Sequence, residues 1–180
     1  PPGAAICDTA LRLAAGRGVH PRSTSGVRSE TPLWLHDGSR IAFQGLNKQS
    51  IADIHVKSVD GTGQATTVFH SERPATPADW SPDGRFLAVD LLSRNSPTKG
   101  DVWMVPLSGD GKPYPFLASE FDERGASFSP DGKGGSYISH ESGRDELYVV
   151  PFPGPGDKWQ ISTGGALGGC FVKVGEEDLH

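Results

Sequence analysis

Residues 80–89 read Trp80-Ser-Pro-Asp-Gly84-Arg-Phe-Leu87-Ala-Val89, and this stretch decides the fold. Proline presets φ at roughly −65° in the second position of a turn, aspartate tolerates the third, and glycine accepts the exit geometry. The chain therefore reverses here between two strands. The flanking segments, Ala78 to Trp80 and Phe86 to Val89, run apolar or alternate as strands do.

The same hairpin recurs on both sides. Upstream stands Trp34-Leu-His-Asp-Gly38-Ser-Arg-Ile41-Ala-Phe43; downstream, Phe128-Ser-Pro-Asp-Gly132 precedes a looser Gly134-Gly-Ser-Tyr137-Ile138. The turn aspartates Asp37, Asp83 and Asp131 are 46 and 48 residues apart. A second signature follows each hairpin at intervals of 48 and 45 residues: Asp53-Ile-His-Val56, Asp101-Val-Trp-Met-Val105 and Glu146-Leu-Tyr-Val-Val150. Two signatures that keep one period mark an internal repeat. Their β-branched and aromatic residues predict a third strand. A weaker fourth strand fits Ala65 to Phe69, Pro115 to Leu117 and Lys158 to Ile161, each just after a Gly-rich turn. Four short strands in roughly 40 to 50 residues is the size of one propeller blade.

These residues resemble the TolB-like, or WD-like, bacterial β-propeller repeat, whose hallmark is a Trp-Ser-Pro-Asp-Gly hairpin followed by an acidic-aliphatic-aromatic-aliphatic strand. The resemblance implies an all-β fold of about three to three and a half four-stranded blades, with signatures near 33–69, 79–117 and 127–162 and a partial one at 170–180. Copy one departs in having Leu35-His36 for Ser-Pro, and copy three in its Gly134-Gly135. The partial start, Phe171-Val-Lys-Val-Gly175, lacks the Pro-Asp. Residues 1–30 lie outside the period; there Asp8 or Thr9 is a candidate N-cap for a short helix through Ala15, with Gly16 as its stop and linker after it.

Composition agrees with a turn-rich chain, because its 24 glycines and 15 prolines fall between apolar runs rather than in blocks. A net charge of −5 with interspersed signs leaves no basic stripe for a nucleic acid. No apolar run reaches the roughly 18 residues of a membrane span, and no signal peptide is recognised at the N-terminus. Cys7 and Cys170 stand near opposite ends without CxxC or His-rich spacing, which favours free thiols over a disulfide.

Propellers usually close with four to eight blades. Three and a half blades do not make that ring, so either the chain is a piece of a longer propeller or two copies associate to complete six to eight blades. The expectation is a homodimer, since bare blade faces would exceed the apolar patch a soluble monomer tolerates.

The search for chemistry finds no Gly-x-Ser-x-Gly elbow, His-Glu-x-x-His, P-loop or Rossmann fingerprint. His140-Glu141 reads as part of a solvated loop between second and third strands. The segments at Asp60, Ser108 and Ser129 lack the alternating acidic ligands of calcium loops. Trp34, Trp80 and Trp103 occupy strand or repeat positions that favour core packing over a ligand platform, and Asp53, Asp101 and Glu146 read as hydrogen-bonding groups at strand edges or between blades. The blade order of the family places Glu30, Thr76, Glu123 and Arg124 near the channel mouth, where a partner would bind. No catalytic, cofactor or metal residue is expected.

The resemblance implies a non-catalytic scaffold for protein binding or ligand sensing, in a periplasmic or extracytoplasmic setting as for TolB. Residues 150–165 also resemble propeller regions attached to bacterial Ser/Thr kinases. The alternatives are a propeller accessory to a prolyl-oligopeptidase-type peptidase and a lactonase-like enzyme with a metal in its channel.

Overall fold

A computed structural model describes residues 29–46, 52–60, 62–92, 100–154 and 156–167. The candidate helix at 8–15, both cysteines and the partial repeat at 170–180 lie outside the described residues. Twelve strands form three four-stranded antiparallel sheets. Blade 1 comprises β1 (Ser29–Trp34), β2 (Arg40–Leu46), β3 (Ala52–Ser58) and β4 (Thr66–Phe69). Blade 2 comprises β5 (Ala75–Trp80), β6 (Phe86–Leu91), β7 (Asp101–Pro106) and β8 (Tyr114–Leu117). Blade 3 comprises β9 (Glu123–Phe128), β10 (Gly134–Ser139), β11 (Glu146–Pro151) and β12 (Trp159–Gln160). The strands run in sequence order across each sheet, as the repeat predicts.

The hairpin turns show why the motif recurs. In blade 2 the Ser81 Oγ donates to Asp83 Oδ1 (2.7 Å) and accepts from the Phe86 amide (2.9 Å), while the Arg85 amide donates to Asp83 (3.0 Å). Gly84 closes the turn onto the Ser81 carbonyl (2.8 Å) at φ +67°, a conformation that favours glycine. Blade 3 repeats the arrangement with Ser129, Asp131 and Gly132. Blade 1 has Leu35 where the serine would stand and keeps only the Asp37 carboxylate, which accepts from the Ser39 amide, and the Gly38 closure. The backbone bond and glycine make the turn, and serine reinforces it.

The blades stack face to face. β5 packs against β1, β2 and β3, and β9 against β5, β6 and β7, so the first strand of each blade is its inner strand. Alternation splits every sheet into a leading face toward the preceding blade and a trailing face toward the next. Leu87, Val89, Leu91 and Val105 lead into blade 1 and meet Leu35, Ala42, Ile54 and Phe69. Ala88, Val102 and Met104 trail toward Ala126 and Phe128 of blade 3. Blade 3 has Gly134-Gly135 where blade 2 has Phe86-Leu87, which opens a small apolar cavity lined in part by Ala88, Gly135 and Phe152. Phe152 fills much of the gap, with ring centroids 5.2 Å from Phe86, 5.6 Å from Phe116 and 5.0 Å from Phe128.

Each inner strand carries a register shift, between Glu30 and Leu33, Pro77 and Asp79, and opposite Ser136–Ile138. In blade 3 the shift coincides with Gly125 at φ +65°, and at the matching place in blade 1 Thr31 takes φ +51°. The bulge at Gly125 frees an amide that the neighbouring blade uses.

Candidate functional site

Inner strands begin, second strands end and third strands begin at one end of the stack. Polar side chains concentrate there. Asp101 at the start of β7 pairs with Arg73 of the connection into blade 2. Asp53 at the start of β3 meets His70 just after β4 (3.1 Å). Glu146, fully buried at the start of β11, accepts from Arg144 Nε (2.6 Å), the Ser162 hydroxyl and the Gly165 amide (3.0 and 3.1 Å). The Ser162 hydroxyl leads the interactions that hold the Glu146 carboxyl below its ordinary pKa. The repeated acids of the third strand thus tie down the segments that enter and leave each blade, in keeping with a hydrogen-bonding rather than catalytic role.

Of the residues placed at the mouth, Glu30 lies in β1 opposite Gln44, its side chain outside the described set. Thr76 lies within β5, opposite Asp90. Glu123 is buried and accepts from the amide (3.1 Å) and hydroxyl of Ser119. Arg124 bridges Asp122 and Asp145, whose attraction strengthens its hold on the proton against its burial. Asp145 also meets His140 Nδ1 at 3.2 Å. Glu123 and Arg124 therefore share one rim, but their polar groups are already engaged within the chain.

Two carboxylates escaped sequence reading because neither repeats: Asp79 stands where blades 1 and 3 have Leu33 and Ser127, and Asp90 where they have Gln44 and Ile138. Asp79 accepts from the Phe128 amide (2.7 Å) and the Ser127 hydroxyl (3.0 Å) of the next blade. Asp90 Oδ2 accepts from the Gly125 amide (2.8 Å), and its Oδ1 is buried without a partner. Burial pushes both carboxyls up, Asp90 to about 6, where Arg124 opposes and Asp122 adds to the shift. For Asp79 the only available signal was a break in the repeat just before the recurring aromatic Trp80; Asp90 had none.

Among the described residues no three His, Cys, Asp or Glu side chains converge for a metal. The His140–Asp145 pair resembles two members of a triad, yet no described hydroxyl or thiol hydrogen bonds to His140. Trp80 is fully buried and Trp103 packs half-buried against the same cluster, whereas Trp34 is half-buried outside it and Trp159, 54% exposed, lies open on the last strand.

No family model matches the sequence, and no curated protein does. Solved structures do match. A putative TolB from Agrobacterium tumefaciens superposes with a TM-score of 0.64 at 18% identity, over 75% of this chain and 47% of that one. TolB from Acinetobacter baumannii gives 0.63 at 20% identity, over 77% and 33%. A prolyl endopeptidase gives 0.56 at 20% identity, over 77% and 22%. The chain thus has the TolB-type β-propeller fold and spans half or less of the length of these proteins.

Proposed function

We propose that this chain is a non-catalytic propeller scaffold that binds another protein or peptide at the rim formed by the starts of its inner strands, in an extracytoplasmic compartment. The observation that carries this reading is the pairing at the rim. Arg73 with Asp101, Arg124 with Asp122 and Asp145, and Glu123 with Ser119 spend their polar atoms on one another. Such a surface is rigid and patterned in charge, which suits recognition by complementary charge. Among its described residues no hydroxyl or thiol hydrogen bonds to His140, a histidine of this rim. The likeness of fold to TolB and the prolyl endopeptidase is compatible with a binding scaffold and with an accessory propeller of a peptidase.

The test is affinity capture from a periplasmic extract with Glu120→Lys and His140→Ala at the rim, and Lys112→Glu in the β7–β8 connection at the opposite end. A partner retained by wild type and Lys112→Glu but lost with both rim variants supports the reading. Turnover of peptide, ester or lactone substrates by the purified chain, or capture indifferent to the rim variants, overturns it.

A further inference from the structure

The chain contains Asp-Gly at five places: Asp37-Gly38, Asp60-Gly61, Asp83-Gly84, Asp110-Gly111 and Asp131-Gly132. This dipeptide is open to rearrangement, because no side chain on the glycine obstructs the approach of its amide nitrogen to the aspartate carboxyl. The nitrogen bonds to Cγ and loses its proton, one carboxyl oxygen leaves as water, and a succinimide ring closes. Water then opens the ring at either carbonyl. Opening at Cγ restores aspartate; opening at the α-carbonyl gives isoaspartate, in which the main chain runs through Cβ and Cγ. One water is lost and one regained, so no other reactant is needed. The step requires a protonated carboxyl, an amide not engaged elsewhere and a backbone free to rotate.

The blade hairpins oppose these requirements. The Gly38, Gly84 and Gly132 amides donate to the carbonyls of Leu35 (2.8 Å), Ser81 (2.8 Å) and Ser129 (2.9 Å). The carboxylates of Asp37, Asp83 and Asp131 accept from the amides two residues on, of Ser39 (2.8 Å), Arg85 (3.0 Å) and Lys133 (3.0 Å). The Ser81 and Ser129 hydroxyls add a second bond and lead the interactions that keep Asp83, down to about 2, and Asp131 ionised. Pro82 and Pro130 fix the backbone just before. At Asp60 the Thr62 amide (2.8 Å) and hydroxyl (2.7 Å) hold the carboxylate, and Gly61 lies outside the described residues. The β7–β8 connection differs at each point. Ser108 to Lys112 are all exposed. Among the described residues the Asp110 carboxyl accepts no hydrogen bond, and the Gly111 amide makes none of normal geometry. Gly109 stands at φ +74° with nothing within 4 Å of where a Cβ would lie. Glycine on both sides leaves Asp110 free to rotate.

We propose that Asp110-Gly111 is a site of isoaspartate formation, and that the fold selects it by protecting the Asp-Gly pairs of the blade hairpins. The product adds one carbon to the main chain ahead of β8, the strand whose Tyr114 and Phe116 pack into the cluster shared with blade 3. The site lies at the end opposite the rim, so this proposal is independent of the rim reading.

The test holds the protein at neutral pH, both native and in guanidinium chloride, and then digests it. The aspartyl and isoaspartyl forms of each Asp-Gly peptide are separated by chromatography and counted by mass spectrometry. In the native protein isoaspartate accumulates at Asp110 about tenfold or more faster than at Asp37, Asp83 or Asp131, the rate factor that one or two missing hydrogen bonds represent. In guanidinium chloride the hairpins lose their bonds and the gap closes. Asp110→Glu removes the native product, and Ser129→Ala raises the rate at Asp131 while leaving that at Asp110 unchanged. Equal rates at these sites in the native protein, or a preference for Asp110 that persists undiminished in guanidinium chloride, overturns the proposal.

Discussion

Blades 1 and 2 meet through an indole and a guanidinium, whereas blades 2 and 3 meet through two carboxylates and a set of phenyl rings. At the first junction Trp80 donates from Nε1 to the Leu33 carbonyl (3.2 Å), its own carbonyl meets His36 (3.2 Å), and Arg40 lies over its ring at 5.3 Å. At the second, Phe128 takes the place of Trp80 and has no ring donor, and the contacts come from Asp79 and Asp90 to backbone amides of β9. Equivalent blades thus stack by different chemistry. The period requires only that each inner strand reach the sheet before it; which groups make the contact is decided locally.

The largest effect expected from this contrast is at Trp80. Its side chain is fully buried in the cluster that joins blades 1 and 2. Trp80→Ala removes the ring, the Leu33 hydrogen bond and the surface beneath Arg40, and should cost about 4 kcal/mol in urea unfolding. Trp34→Ala, at the equivalent but half-buried position of blade 1, should cost less than half as much. Equal losses would mean that the junction does not depend on the indole.

The second junction should instead respond to pH. A buried carboxyl whose pKa is raised in the folded state binds more protons folded than unfolded, so its stabilising share is complete below the unfolded value and is lost as pH rises through the folded one. For Asp90 that window runs from about pH 4 to about pH 6. Asp79 is shifted the same way. Asp83, held down to about 2 chiefly by the Ser81 hydroxyl, acts oppositely but loses its contribution only under more acid conditions. Asp90→Asn keeps an oxygen for the Gly125 amide and removes the buried charge. It should stabilise the protein by about 2 kcal/mol at neutral pH and flatten the wild-type decline between pH 4 and pH 7. Unfolding midpoints across that range check both statements; a variant with the wild-type slope would show that Asp90 is not the titrating group.

The same contrast separates what was legible in the sequence from what was not. Turn, aromatic and third-strand acid recur at fixed spacing because each blade reverses its chain, packs its inner strand and ties down its connections at the same places. The turns were read directly from Asp37, Asp83 and Asp131 and the acids from Asp53, Asp101 and Glu146. The rim was less accessible. Arg124 lies near the start of β9, but its reach to Asp145 joins residues 21 apart and depends on how the loops fold back. Glu123 was offered as a binding group and proves buried, because Ser119 four residues earlier caps both of its oxygens. Asp79 and Asp90 were invisible for the opposite reason: they occur once, and a repeat reveals only what it repeats.

The smallest of the expected effects probes how far the two junctions substitute for each other. Arg40 holds the place in blade 1 that Phe86 holds in blade 2. Arg40 reaches across to the Gly84 carbonyl (3.2 Å) and the face of Trp80, while Phe86 reaches across to the edge of Phe152. Gly84 is close enough that an added Cβ would lie 3.0 Å from the Arg40 Nη2 atom, so the guanidinium is fitted to its site. Arg40→Met keeps the apolar stem but removes the cation and one hydrogen bond, and should cost about 1 kcal/mol. Arg40→Phe supplies the ring that the second junction uses at this position and should recover part of that loss through aromatic contact with Trp80. If Arg40→Phe is instead the worse of the two, the first junction needs its charge, and the two kinds of contact are not interchangeable even where the repeat makes their positions equivalent.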